Sequence, residues 1–261
     1  MMDLNKKFIK EHLLYAWIVS RYDIRRSISV LHNESMDIEL LGNFRKENTD
    51  YITILEDNYP EKIKQLEKPP LCIFYKGDIT LMSSLCIGVI GSRLNDEYGA
   101  RVVEELISCL PKDCVVVSGL AKGIDGLAHR MALNYGLKTI GIIGSGLSKT
   151  YPLCNKGLYS QLEKEGLILS EYEYNEPIRK EHFIARNRLI AAMSDILVVV
   201  ESTLHSGTLI TVNDMLSLGK EVYVVPHSLF NKLGEGNLRL LSEGANILYS
   251  IDEFVNSLKR V

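Results

Sequence analysis

Four short apolar runs, each ending in glycine or serine, constrain this 261-residue chain more than any other feature. CIGVIGSR (86–93) ends in Gly91-Ser92-Arg93, VVVSGLAKGID (115–125) turns at Ser118-Gly119, and TIGIIGSG (139–146) ends in Gly144-Ser145-Gly146. The fourth, Ile196–Val200, leaves through Glu201 to a turn closing on Ser206-Gly207-Thr208. Continuously apolar runs of this length suit strands covered on both faces of a parallel sheet. Further strands are predicted at 167–170, 221–225 and 246–249. Helical spacing fills the intervals: in 98–110, Val103, Leu106, Ile107 and Leu110 share one face. Such alternation specifies an α/β fold with a doubly wound, mostly parallel sheet and right-handed crossovers.

In an open parallel sheet all four run ends lie on the carboxyl edge, where ligands bind. Small side chains and unpaired amides at the helix starts that follow favour a phosphate, which the helix dipole also attracts. Gly91, Ser92, Ser118, Gly119, Gly144, Ser145, Gly146, Ser206, Gly207 and Thr208 are therefore the predicted cradle. Arg186 and Arg188, read as standing on a helix start before the Ile196–Val200 strand, are the predicted counter-charges. The net charge of −3 gives no hint of an anionic partner, but RKEHFIARNR (179–188) sets Arg179, Lys180, Arg186 and Arg188 against Glu181 alone. Its position beside the glycine turns favours the cradle over a merely solvated helix face.

Several chemistries are disfavoured. A dinucleotide site needs an acidic residue about 20 residues after the glycine turn, at the end of the second strand. That strand ends in Ser118-Gly119, and Asp113 lies at the wrong edge. GSGLSKT (144–150) is not a P-loop, because Ser148 stands where glycine must precede the lysine and Pro152 keeps Tyr151 out of helix. No Ser-His-Asp order, metal-ligand spacing or paired carboxylates stand in a motif context, so no catalytic residue, metal or cofactor is expected. Asp125 and His129 read as a local i,i+4 pair. Tyr151-Pro152 and Asn155 read as structural, with Asn155 capping the next helix. Glu171 and Glu201 read as organisers of their turns.

Residues 1–47 have helical spacing, as in Leu13, Leu14, Trp17 and Ile18, and 48–82 read as a joining segment with a strand and turn at 71–78. No apolar run approaches the roughly 20 residues of a membrane-spanning helix. The charged start MMDLNKKFIKEH lacks a signal-peptide core. Five cysteines without a C-x-x-C pair read as reduced thiols, so a cytoplasmic protein is expected.

The ordered motifs DNYPEKIKQLEKPP (57–70), VIGSR with Tyr98-Gly99, SGLAKGID with His129, GSGLSKTYPLCN (144–155), SEY (170–172), HFIARNRLIAAMS (182–194), SGTLIT (206–211) and EGAN (243–246) resemble the DNA-processing protein A (DprA/Smf) family. The resemblance runs from about Tyr51 to Asn246. It implies an extended Rossmann-like domain over 51–261 behind a small helical domain over 1–50, in a homodimer. It also implies a protein, not an enzyme, that binds single-stranded DNA and loads RecA recombinase onto incoming DNA in natural transformation. Single-strand-binding protein is then a further partner. Since the chain ends at Val261, soon after EGAN, a short form without a winged helix is expected. Ile184 replaces a common proline, Thr203 stands where some members are basic, and His227 stands where glycine is usual.

Carried onto this chain, the resemblance adds Arg93 and Lys180 as phosphate contacts, with a surface ion pair as the alternative for Arg93. Lys122 lies in the groove or just outside it, and Asn187 belongs with its flanking arginines. Phe183 either stacks on a base or is core. For the dimer, a helix over 237–242 puts Leu241 in the core and Leu238 outward towards a twofold axis, or buries both. The rival reading is an enzyme similar to the lysine-decarboxylase-like phosphoribohydrolases. Those carry P-G-G-x-G-T followed closely by a glutamate, whereas Leu204-His205-Ser206-Gly207-Thr208 here continues as Leu209-Ile210-Thr211. A nucleotide-sensing module on the same pocket is a third reading.

Overall fold

In the computed structural model, which describes residues 2–33, 35–45 and 49–258, every predicted apolar run forms a strand. Three helices come first: α1 (Met2–Val19), α2 (Ile24–Asn33) and α3 (Ile38–Arg45). Then follow β1 (Asp50–Thr53), the single-turn α4 (Glu61–Lys64), β2 (Cys72–Gly77), β3 (Cys86–Gly91), α5 (Glu97–Cys109) and β4 (Val115–Ser118). The alternation continues with α6 (Ile124–Asn134), β5 (Lys138–Ile142), α7 (Lys156–Glu165), β6 (Leu167–Ser170) and α8 (Lys180–Met193). The chain closes with β7 (Ile196–Glu201), α9 (Thr208–Ser217), β8 (Glu221–Val224), α10 (Glu235–Ser242), β9 (Asn246–Ile247) and α11 (Ile251–Leu258).

The strands form one sheet in the order β1-β2-β6-β5-β4-β3-β7-β8-β9, with β3 to β9 parallel and β1 and β2 antiparallel at one edge. From β3 the chain steps outward through β4, β5 and β6. Helix α8 then carries it back to β7, on the other side of β3. That reversal makes β3 and β7 the topological switch point, where an open α/β sheet leaves a crevice at its carboxyl edge. The β3–β7 register shifts between Ile90 and Gly91, so that Gly91 faces Glu201.

Strand side chains alternate between two apolar layers, as the period of two requires. Cys86, Ile90, Val115, Val117, Leu197 and Val199 pack under α8 and α9, whereas Ile87, Val89, Val116, Val198 and Val200 pack under α5 and α6. Val103, Leu106 and Ile107 are fully buried, as the periodicity of α5 predicts. The front helices share a third cluster with the sheet: Leu13, Leu14 and Trp17 pack with Phe74, Ile143 and Leu158. Trp17 Nε1 donates to the Glu171 carbonyl at 2.8 Å, satisfying the one polar atom of a buried ring.

Several expectations are corrected. The 48–82 segment is an integral edge of the sheet and not merely a joining piece, because β1 pairs with β2 and β2 with β6. β1 is only four residues long and has too little alternation to announce itself. His129 pairs with Thr139, not Asp125: its Nδ1 lies 2.6 Å from Thr139 Oγ1 inside the sheet layer. Burial pushes this imidazole down to about 3. Asn155 makes no side-chain cap; its Nδ2 donates to the Leu120 and Ala121 carbonyls, tying the turn after β4 to α7. In α10 the core positions are Asn237 and Leu240, while Leu241 is half-buried against the core and Leu238 half-buried beside it. The helix runs from Glu235, and its inner face centres on Asn237, whose Nδ2 holds the Val199, Val200 and Val225 carbonyls. All five cysteines are free, three buried and two exposed. Among the described residues no helix is long and apolar enough to cross a membrane.

Candidate nucleic-acid interface

At the β3/β7 switch lies a cleft of about 690 Å³, within the range of small-molecule and nucleotide pockets. One wall is the turn after β3, Gly91 to Leu94. The opposite wall is the start of α9, with Ser206, Gly207 and Thr208, and α8 supplies Lys180, Phe183, Arg186 and Asn187. Ten of the seventeen predicted DNA contacts thus come near one another, drawn from three separated segments: Gly91, Ser92, Arg93, Lys180, Phe183, Arg186, Asn187, Ser206, Gly207 and Thr208.

The donors fit an anion. Ser206, Leu209 and Ile210 bond back to Thr203, Ser206 and Gly207 carbonyls, leaving the Gly207 and Thr208 amides as the first donors of a helix whose dipole points positive end outward. The buried Ser206 Oγ has no hydrogen-bond partner among the described residues. Asn187 Nδ2 fastens the turn from the other side by donating to the Gly207 carbonyl at 3.2 Å. Arg93 and Lys180 are exposed, and among the described residues neither forms an ion pair with a carboxylate. The Arg93 guanidinium lies over the Phe183 ring at 6.0 Å.

Two counter-charges are not where the sequence puts them. Helix α8 begins at Lys180, so Arg186 and Arg188 lie in its middle and not at its start. Arg186 is only 5% exposed. Its Nη1 donates to the Gly119 and Ile142 carbonyls at 2.5 and 2.6 Å, joining the ends of β4 and β5. Arg188 Nη2 meets Glu171 Oε2 at 2.5 Å. A carboxylate buried like Glu171 requires such a partner. Arg186 borders the cleft, yet its charge is engaged inside; Arg188 does not line it.

The β4 and β5 ends are closed. Ser118 is fully buried with its Oγ donating to the Val89 carbonyl, and Gly119 lies under Arg186. A Cβ on Gly144 would stand 2.9 Å from the His182 carbonyl. Gly146 donates to the Glu176 carbonyl and Ser145 accepts from Ser170. The segment from Glu173 into α8 therefore roofs Gly144, Ser145 and Gly146, and none of these five lines the cleft. Lys122 is exposed but lies outside it.

The sequence reading missed Tyr151, Thr203, Thr211 and Leu233, which line the cleft. Tyr151, read as structural, is 45% exposed with its ring 5.4 Å from Phe183. Behind the site, Glu201 organises the segment after β3 and not its own turn: its Oε1 accepts from the Asp96 amide, while Asp96 caps α5 at Gly99. Burial, and then the neighbouring Asp96, push the Glu201 carboxyl up to about 8. Asp96 is held below its usual range, first by the Gly99 amide.

The DNA recombination-mediator protein A family model matches residues 50–259. DNA processing protein DprA of Streptococcus pneumoniae is 41% identical over 198 residues, 76% of this chain and 70% of the relative. Its counterpart in Bacillus subtilis is 36% identical, over 84% of this chain and 74% of its own. The crystal structure of the Streptococcus pneumoniae protein superposes with a TM-score of 0.81 at 36% identity, covering 89% of this chain and 81% of that one. A structure of DNA processing protein A from Helicobacter pylori, solved for its single-stranded DNA binding mode, gives 0.74 at 31% identity, covering 81% and 96%.

Proposed function

This chain belongs to the DNA recombination-mediator protein A family, and on that premise we propose that it is a DNA-processing protein that binds single-stranded DNA at the β3/β7 switch and delivers RecA recombinase to it during transformation. The observation that carries the reading is the convergence of two unpaired cations, Arg93 and Lys180, with the α9 amides on one open cleft. Backbone amides and cations grip phosphates without reading sequence. A loader needs that property, since the bases must stay available for pairing. Relatives bearing the name DNA processing protein, one of them studied for single-stranded DNA binding, support the same reading.

We read the protein as a binder and not an enzyme. The carboxylates nearest the strand ends have structural work: Glu201 holds the β3 turn, and Asp125 is buried beside Arg186 under Gly119. A cytoplasmic homodimer with Leu238 and Leu241 at its twofold axis belongs to the same proposal. Two strands held by one dimer bind by effective concentration. The test is RecA-dependent ATP hydrolysis on DNA precoated with single-strand-binding protein. Stimulation by this chain is expected. DNA binding without stimulation across a wide concentration range would refute loading alone, and equal affinity for duplex and single strands would refute the binding mode.

A further inference from the structure

Lys180 and Phe183 reach the cleft from the first turn of α8, yet that turn does little to fix itself. Its N-cap is Arg179, a residue with donors only, so the first amides of the helix have no side-chain cap. What orients the turn lies outside it. Arg179 Nε donates to Glu176 Oε1 at 3.1 Å, and the other oxygen of that carboxylate accepts from the Tyr22 hydroxyl at 3.0 Å. Tyr22 belongs to the front helices, at the end of α1.

Tyr22 is itself held in place. Arg21 and Tyr22 have φ of 55° and 63°, a region that residues other than glycine keep only where surrounding contacts enforce it. The Tyr22 amide donates to the Trp17 carbonyl at 2.9 Å, and its ring packs edge-to-face with Trp17 at 6.0 Å and with Tyr172 at 4.9 Å. Tyr172 in turn stacks on His182 of α8 at 3.9 Å. Below the roof, the Gly146 and Ser148 amides donate to the Glu176 and Tyr174 carbonyls, both at 2.9 Å. The sheet side thus holds the backbone of the roof, and Tyr22 holds the carboxylate that faces Arg179.

We propose that Tyr22 is a positioning residue for the DNA cleft: through Glu176 and Arg179 it sets the first turn of α8 and so presents Lys180 to phosphate. The proposal rests on the single-stranded DNA reading above and deepens it. The front helices then act on strand binding without touching DNA. A contiguous line of hydrogen bonds and packed rings on a rigid element carries the effect from one to the other.

The test is fluorescence anisotropy of a labelled single-stranded oligonucleotide across a salt series. Tyr22→Phe keeps the ring and removes the hydroxyl. It should weaken binding about five-fold, the low end for coupling between separated sites, and flatten the log–log salt slope by about 0.7, the share of one phosphate. Adding Lys180→Ala to Tyr22→Phe should then change neither quantity further, whereas adding Arg93→Ala, on the β3 turn, should cost as much as it does in the parent. Glu176→Ala breaks the same line without touching the front helices and should reproduce the loss, although removing a carboxylate near phosphates would by charge alone tighten binding. An unchanged slope in Tyr22→Phe, full additivity of Tyr22→Phe with Lys180→Ala, or tighter binding by Glu176→Ala would overturn the proposal while leaving DNA binding in place. Failure of the parent protein to bind the oligonucleotide would overturn the DNA-binding reading and the proposal with it.

Discussion

The β3/β7 ends and the β4/β5 ends are written in the same residues and have opposite fates. Both pairs end apolar strands in glycine and serine on one edge of one sheet. At β3/β7 the turns stay open, and Arg93 and Lys180 beside them form no ion pair with a carboxylate among the described residues. At β4/β5 the turns are roofed by 173–183 and stitched by Arg186. A glycine-rich strand end thus encodes either a ligand cradle or a close approach of backbones. The crossover that lies above it decides which. Helix α8 leaves β6, passes over β5 and β4, and reaches β7, so it covers the former ends and leaves the switch bare.

The largest effect expected from this contrast is at Arg186. Arg186→Met leaves two buried carbonyls without their donor and should cost about 3–5 kcal/mol of unfolding free energy, read by urea denaturation. Arg93→Ala, by comparison, should be close to neutral for stability. A stable Arg186→Met protein would mean that the closed region is held by something else.

The two regions also answer pH in opposite directions. Burial keeps His129 neutral, with its folded value lowered to about 3. Its contribution to stability is complete above the ordinary histidine value and is lost as pH falls from about 6.5 towards 3. Glu201, raised to about 8, contributes stability that is complete below the ordinary glutamate value and is lost as pH rises from about 4.5 towards 8. Urea midpoints across that range should decline on the alkaline side in the parent protein and less steeply in Glu201→Gln. An identical decline in both would remove Glu201 as its cause.

Two glycines sharpen the comparison at smaller scale. A Cβ on Gly146 would overlap the Glu173 and Tyr174 carbonyls, both backbone atoms that cannot rotate away. Gly146→Ala should cost about 1–3 kcal/mol. On Gly207 a Cβ meets only Asn187 Nδ2, at 3.7 Å, and φ is −61°. Gly207→Ala should therefore change stability by no more than about 0.5 kcal/mol. Equal costs at the two sites would erase the distinction between a roofed turn and an open one.

The parallel sheet was legible because β3, β4, β5 and β7 are uninterrupted apolar runs with glycine or serine at their ends. Neither β1 nor the antiparallel pairing of the edge was, since the four residues of β1, one exposed, one half-buried and two buried, carry little pattern. Of the cleft lining, Ser206 to Thr208 could be read from type and position, and Arg93 and Lys180 through the family motifs that hold them. Arg186 and Arg188 could not, because a helix start was placed too late and nothing local reveals that a cation faces two carbonyls or Glu171. In α10 it is Leu240 that is buried, one turn from Asn237, while Leu241 packs half-buried against the core. Tyr151 escaped notice because its partner Phe183 is distant in sequence and meets it only across the folded cleft.

The claim that phosphates are held at the β3/β7 switch is tested most directly by the salt dependence of single-strand binding. Each phosphate neutralised on a single strand contributes about 0.7 to the slope of log affinity against log salt. With Arg93 and Lys180 both changed to alanine, the slope should flatten by about 1.4 while the protein stays folded. An unchanged slope in that folded double variant would contradict the account and place the DNA elsewhere on the molecule.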